Sequence, residues 1–272
     1  MNISNVSKVF LVLSLSASYA AGAAEGDVTN SDRIAQYREM ISDGNPAEFD
    51  EMAGEELWKT PAGPKKATLE KCNLGKGPGV VKGAYAELPR YFKDTKKVQD
   101  LESRLLTCMT TLQGIPEEQI TAKPFSSDQK KSDISSLATY VVGQSKGIKM
   151  AVSLKHPKEK EAYEIGERIF FYRAGPYDFA CSTCHATSDV RIRMQDLPNF
   201  TVQKDAQAAY TSWPAYRVSQ GLTRSFQWRL NDCFRQQRFP EPKFASEATI
   251  ALTMFLAVNA NGAEYAGPGL KR

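Results

Sequence analysis

Cys181 to His185 read CSTCH, the C-x-x-C-H pattern of covalent haem attachment. Two thiols on one helical turn reach the two vinyl groups of a single porphyrin, and the adjacent His185 supplies an imidazole to the iron. The same pair could serve as a redox dithiol or as half of a zinc site. Zinc takes four ligands, however, and the other histidine, His156, sits in the charged run KHPKEKE, which reads as a solvated linker. The expectation is one covalent c-type haem, carried on Cys181 and Cys184.

A second stretch, RLNDCFRQQRFPEP, sets Cys233 among arginines. In class I cytochromes the distal iron ligand comes from the loop before the last helix, and Cys233 falls there in the sequence. Met194 and Met254 compete for the role. Met254 lies on an apolar helical stripe that reads as core, and a free cysteine can also be a small buried hydrophobe. Polar neighbours Arg229, Asn231, Asp232 and Arg235 weigh against that bland alternative. From Arg217 to Arg238 the chain carries five arginines and one acid. Such arginines can pair with haem propionates or face water, and they can equally hold an oxyanion and favour a nearby thiolate.

These residues need helices to hold them. KEKEAYEIGERIFFYR places Tyr163, Gly166 and Phe170 at helical spacing before a Gly-Pro break, and ASEATIALTMFLAVNANG forms an apolar helix closed by Asn-Gly. Two helices flanking C-x-x-C-H predict a class I cytochrome c domain whose terminal helices cross, with Gly166 permitting close approach. The first half repeats the plan: GEELWKTPAG offers Gly54 and Trp58, a cysteine follows at Cys72, and SDISSLATYVVGQSKG mirrors the last helix. KCNLGKGPG lacks a second cysteine and a histidine, so no covalent haem can be held there by this motif. In an exported chain, Cys72 and Cys108 are then expected to form a disulfide worth roughly 4 kcal/mol. The fold expected is mainly α, with two tandem class I cytochrome c-like domains, 24–150 without haem and 151–272 with it.

Export is read from the N-terminus. Lys8, the apolar run VFLVLSLSASYAAG and small residues near AGAA predict a signal peptide over 1–23, cleaved on secretion to the periplasm. The run is too short to span a bilayer comfortably, and no later segment approaches a membrane span. The formal charge of +4 over 272 residues gives no case for nucleic acid.

Over nearly the whole mature length the chain resembles the cytochrome A subunits of periplasmic sulfur-oxidising (Sox) systems. The segments that carry this are QYREMISDGNP, GEELWKTPAGPKKATLEKCNLGKGPGVVKGAYAELPRYF, LESRLLTCM, FACSTCH and RLNDCFRQQRFPEP. The resemblance implies an L-cysteine S-thiosulfotransferase, which joins thiosulfate oxidatively to a cysteine of the SoxY/SoxZ carrier complex and passes two electrons to cytochrome c; the residues alone also admit an electron-transfer cytochrome c with a structural Cys233, or a haem-thiolate sensor without turnover. It implies a small cytochrome partner, SoxX, in a heterodimer. It also implies that Cys233 is both the axial ligand opposite His185 and a persulfide-bearing catalytic residue, and that Arg229 binds substrate. Some members hold two haems in this subunit. CNLGK departs from them and matches the single-haem members, in which a disulfide replaces the first haem.

Overall fold

The computed structural model describes residues 44–122, 132–192 and 195–271, together with residue 36. The expected signal peptide, 1–23, lies outside them. The architecture is largely helical. In the first half, helix α1 (Ala47–Lys59) starts where Asn45 Oδ1 accepts from the Ala47 amide at 3.0 Å, with Glu48 and Asp50 in its first turn and Lys59 in its last. A short hairpin of β1 (Arg90–Phe92) and β2 (Lys97–Gln99) follows. Helix α2 (Leu101–Cys108) is capped by Asp100, whose carboxylate accepts from the Ser103 amide while Ser103 Oγ accepts from the Asp100 amide. Then come α3 (Glu117–Thr121) and α4 (Asp133–Gly143).

The second half opens with α5 (Pro157–Phe171), and here the linker reading of KHPKEKE fails. His156 is the helix cap: its Nδ1 accepts from the Lys158 amide, and its ring stacks on Tyr91 with centroids 3.7 Å apart. Proline at the first helical position suits this start. Next are α6 (Cys181–His185), the two-residue pair β3 (Arg191–Ile192) and β4 (Gln195–Asp196), and α7 (Gln203–Tyr210). Strands β5 (Ala215–Arg217) and β6 (Leu222–Arg224) form a hairpin. Helix α8 (Phe226–Gln236) follows, then α9 (Glu247–Asn259), and finally β7 (Gly269–Lys271), which pairs parallel with β5.

The two halves repeat one geometry. Helix α1 crosses α4 at Gly54, and α5 crosses α9 at Gly166. A Cβ on Gly54 would lie 2.0 Å from the Ser136 carbonyl oxygen, and one on Gly166 would lie 2.0 Å from that of Ala251. One turn along each pair, Trp58 meets Tyr140 at 6.1 Å and Phe170 meets Phe255 at 5.2 Å between centroids. Each first helix runs into an Ala-Gly-Pro turn at the same spacing from its crossing glycine: the Ala62 amide donates to the Ala67 carbonyl, and the Ala174 amide to that of Phe179. Gly63 and Gly175 both take positive φ there, 67° and 72°.

A continuous apolar core joins the halves. The chain after α4 lies against the chain after α9, with Met150 donating to Ala263 and Tyr265 donating to Ile148 through the backbone. Among the described residues no helix is long and apolar enough to cross a membrane.

Candidate functional site

The Ala-Gly-Pro turn delivers the chain into α6, whose first turn is tied by the Ala180 amide donating to Thr183 Oγ1 at 2.9 Å. Cys181, Cys184 and His185 therefore leave one short helix together. They line a cavity of about 620 Å³ whose apolar walls include Phe170, Phe200, Leu252 and Leu256. That volume lies within the usual range for ligand and cofactor sites.

His185 is oriented for metal ligation. Its Nδ1 lies 2.9 Å from the Pro198 carbonyl oxygen, a bond that puts the proton on Nδ1 and leaves Nε2 as the donor to a metal. Burial, joined by the positive charge of Arg229, lowers the imidazole pKa and so favours the neutral ring that ligation requires. Burial pushes the Cys181 thiol up to about 12, with Cys233 as the next cause, and raises Cys184 for the same two reasons. A reactive dithiol needs the opposite shift, so the redox-dithiol alternative loses support. Zinc does too, since no three His, Cys, Asp or Glu side chains among the described residues form a bare-ion site. A planar cofactor filling the cavity, bonded through both thiols and ligated by Nε2, fits this donor set.

Cys233 faces the same cavity. It sits within α8 and not in a loop, a correction to the sequence reading. The helix begins where Ser225 Oγ accepts from the Trp228 amide at 3.2 Å, and its buried face includes Phe226, Leu230 and Asn231. The irregular segment comes after Gln236 instead. Helical spacing puts Arg229 on the same face one turn before Cys233, and both line the cavity.

Arg229 Nη1 donates to Asp232 Oδ2 at 2.9 Å. The same carboxylate also accepts from Arg235 and from Gln236, at 2.5 and 2.7 Å. The other guanidinium donors of Arg229 take no side-chain partner among the described residues. Met254 is fully buried and does not line the cavity, so its apolar-stripe reading stands and its ligand role falls. Met194 lies outside the described residues. Sequence reasoning grouped Arg217 with the other arginines but missed its place on the cavity wall, which follows from strand pairing far from Cys233 in sequence.

In the first half Cys72 and Cys108 are joined by a disulfide. Counting from the two Ala-Gly-Pro turns, Leu69, Cys72 and Asn73 stand where Cys181, Cys184 and His185 stand in the second half. Asn73 turns its side-chain oxygen to the amides of Gly75 and Gly77, at 2.8 and 3.1 Å. Leu69 is fully buried in the core.

Comparison with known proteins gives a consistent picture. A family model described as SoxA/TsdA, cytochrome c domain, matches residues 53–150, the half that carries the disulfide. The chain is 50% identical over 270 residues to an L-cysteine S-thiosulfotransferase subunit SoxA from Hydrogenophilus thermoluteolus, covering 98% of each chain. A subunit of the same name from Hydrogenobacter thermophilus is 36% identical over 222 residues, covering 80% of this chain and 79% of that one. Among solved structures, the crystal structure of SoxXA from P. pantotrophus superposes with a TM-score of 0.71 at 22% identity, covering 87% of this chain and 84% of that one, a likeness of fold.

Proposed function

From the premise that this chain belongs to the SoxA subunits of L-cysteine S-thiosulfotransferase, we propose that Cys233 is its catalytic residue and Arg229 its thiosulfate-binding residue. The protein couples thiosulfate oxidatively to a carrier cysteine. The observation that carries the residue assignment is the convergence of Cys181, Cys184, His185, Arg229 and Cys233 on one cavity.

The chain's own groups divide the work. Cys181 and Cys184 would hold one c-type haem covalently, and His185 through Nε2 and Cys233 through its sulfur would ligate its iron. Such a haem would supply one-electron redox chemistry, at a potential that an anionic sulfur ligand lowers. Arg229 receives the sulfonate through donors that Asp232 does not occupy, which turns the sulfane sulfur toward Cys233. A sulfur–sulfur bond forms between the Cys233 thiolate and the sulfane sulfur, with loss of two electrons that pass by way of the haem groups to the cytochrome acceptor. The carrier thiolate then attacks the sulfane sulfur, and Cys233 leaves as thiolate with its original electron count. Apolar walls at Phe170, Phe200 and Leu252 keep water from the adduct.

Two electrons per turnover against one haem call for a second haem on a small cytochrome partner, SoxX, with cytochrome c as final acceptor and SoxY/SoxZ as the protein substrate. The first half, 24–150, is a cytochrome c-like domain that has exchanged haem for a disulfide. Asn73 in the place of the ligand histidine, and buried Leu69 in the place of the first cysteine, support that reading, as they support a single haem in 151–272. Removal of 1–23 on export would deliver the protein to the periplasm, where the disulfide is stable.

The test is peptide mapping of holoprotein treated with thiosulfate, with and without the reduced carrier. A sulfur adduct on the Cys233 peptide that disappears when carrier is added is the expected result. Carrier labelled at the normal rate by Cys233→Ser would overturn the assignment.

A further inference from the structure

Arg217 ends β5 beside Lys271 of β7, and its side chain reaches the cavity that holds Cys233 and Arg229. Its Nε is buried with no hydrogen-bond partner, and it makes no ion pair among the described residues. The neighbouring carboxylate of Asp232 is already shared by Arg229, Arg235 and Gln236. Burial and then the like charge of Arg229 depress the Arg217 pKa, while Asp232 and Cys233 act in the other direction. Two guanidinium groups thus line one cavity with Cys233, and one of them, Arg217, has no ion-pair partner among the described residues. A half-buried cation without an ion-pair partner is costly, and a second like charge beside it raises the cost, so the arrangement favours an anion carrying more than one negative charge.

We propose that Arg217 is a second substrate-binding residue, which with Arg229 grips separate oxygens of the thiosulfate sulfonate and thereby selects a dianion with an oxyanion head. The proposal rests on the assignment of Arg229 and Cys233 to thiosulfate. Two forks from different elements, β5 and α8, fix the sulfonate in orientation as well as in place, where one fork would leave it free to swivel. A porphyrin propionate offers the same oxyanion chemistry, and the experiment separates the two sources.

Thiosulfate affinity is measured on the holoprotein by haem difference spectra without carrier, so that no turnover is needed. The variants are Arg217→Gln, Arg217→Lys and Arg229→Gln, each followed also by haem content and midpoint potential. With a clamp, Arg217→Gln weakens thiosulfate binding roughly tenfold or more, as expected for loss of a charged hydrogen bond. Arg217→Lys recovers part of that loss, and haem content and potential stay unchanged in both. Unchanged thiosulfate affinity overturns the inference, as does a change in affinity that merely tracks a shifted potential or lost haem, the mark of a propionate contact. If Arg229→Gln weakens binding and neither Arg217 variant does, this inference fails alone. If none of the three does, the reading of Arg229 fails with it.

Discussion

Gly166 rests its α-carbon against the carbonyl of Ala251 so closely that a β-carbon would lie 2.0 Å from the oxygen and 2.9 Å from the Phe255 Cβ. The obstacle is backbone, so neither helix can yield without opening the α5–α9 crossing. Gly166→Ala is expected to destabilise the protein by about 3 kcal/mol or somewhat more, beyond ordinary overpacking. Because Phe170, Leu252 and Leu256 of the same two helices wall the cavity, the variant should also disturb the haem spectrum. Gly54→Ala meets the Ser136 carbonyl at the same distance and should lose similar stability with the haem spectrum intact. Denaturant unfolding followed at the haem and in the far ultraviolet reads both effects.

The disulfide gives a second test. Cys72 and Cys108 are buried and 36 residues apart, so replacing both with alanine should cost roughly 4 kcal/mol through the unfolded chain's regained freedom. Haem content should remain one per chain. Intact mass under non-reducing conditions checks the parent protein, and a second covalent haem there would end the account of the first half.

Much of the fold was legible because it is written locally. Gly54 with Trp58 and Gly166 with Phe170 mark helices that must cross closely, and CSTCH names its own chemistry. What escaped depends on distant partners. His156 looked solvated because nothing in KHPKEKE announces Tyr91, onto which it stacks. The sequence places Cys233 in a loop only by analogy with class I cytochromes, whose distal ligand comes from the loop before the last helix. The Ser225 cap and the burial of Phe226 and Leu230 make the segment helical instead. Arg217 joins the site only through β5 and β7, strands that sequence pattern did not reveal.

A third relationship, invisible in sequence, couples α2 to the helix bearing Cys233. Glu102 Oε1 accepts from the Gln227 amide at 3.1 Å, and Asp100 Oδ2 accepts from Gln227 Nε2 at 2.5 Å. Burial, with Asp100 next in effect, pushes Glu102 from 4.5 up to about 7. The folded protein therefore holds this proton over a range where the unfolded chain has released it, and stability falls as pH rises from about 4.5 to 7. Glu102→Gln, which keeps an acceptor and removes the charge, should flatten that fall. Melting curves at intervals across the window decide it, and an unchanged slope would refute the coupling.

As the proposed thiosulfate-binding residue, Arg229 would offer a planar fork that lysine cannot copy. Arg229→Lys and Arg229→Ala should both keep the haem spectrum and lose roughly ten- to a hundredfold in kcat/KM for thiosulfate, the alanine variant more. Full retention in both would reduce Arg229 to a partner of Asp232.

Cys233→Met separates ligation from covalent chemistry. A thioether can still bind iron from α8, so the variant should fold and keep its haem on Cys181, Cys184 and His185. Exchange of an anionic for a neutral sulfur should move the midpoint potential upward by a fraction of the roughly 0.8 V that axial ligands span. A thioether cannot form a thiosulfonate or persulfide, so coupling of thiosulfate to the carrier should vanish even though electrons can still enter and leave. If turnover instead persisted and merely followed the new potential, Cys233 would be a tuning ligand, and the sulfur–sulfur bond would have to form directly between thiosulfate and the carrier thiol.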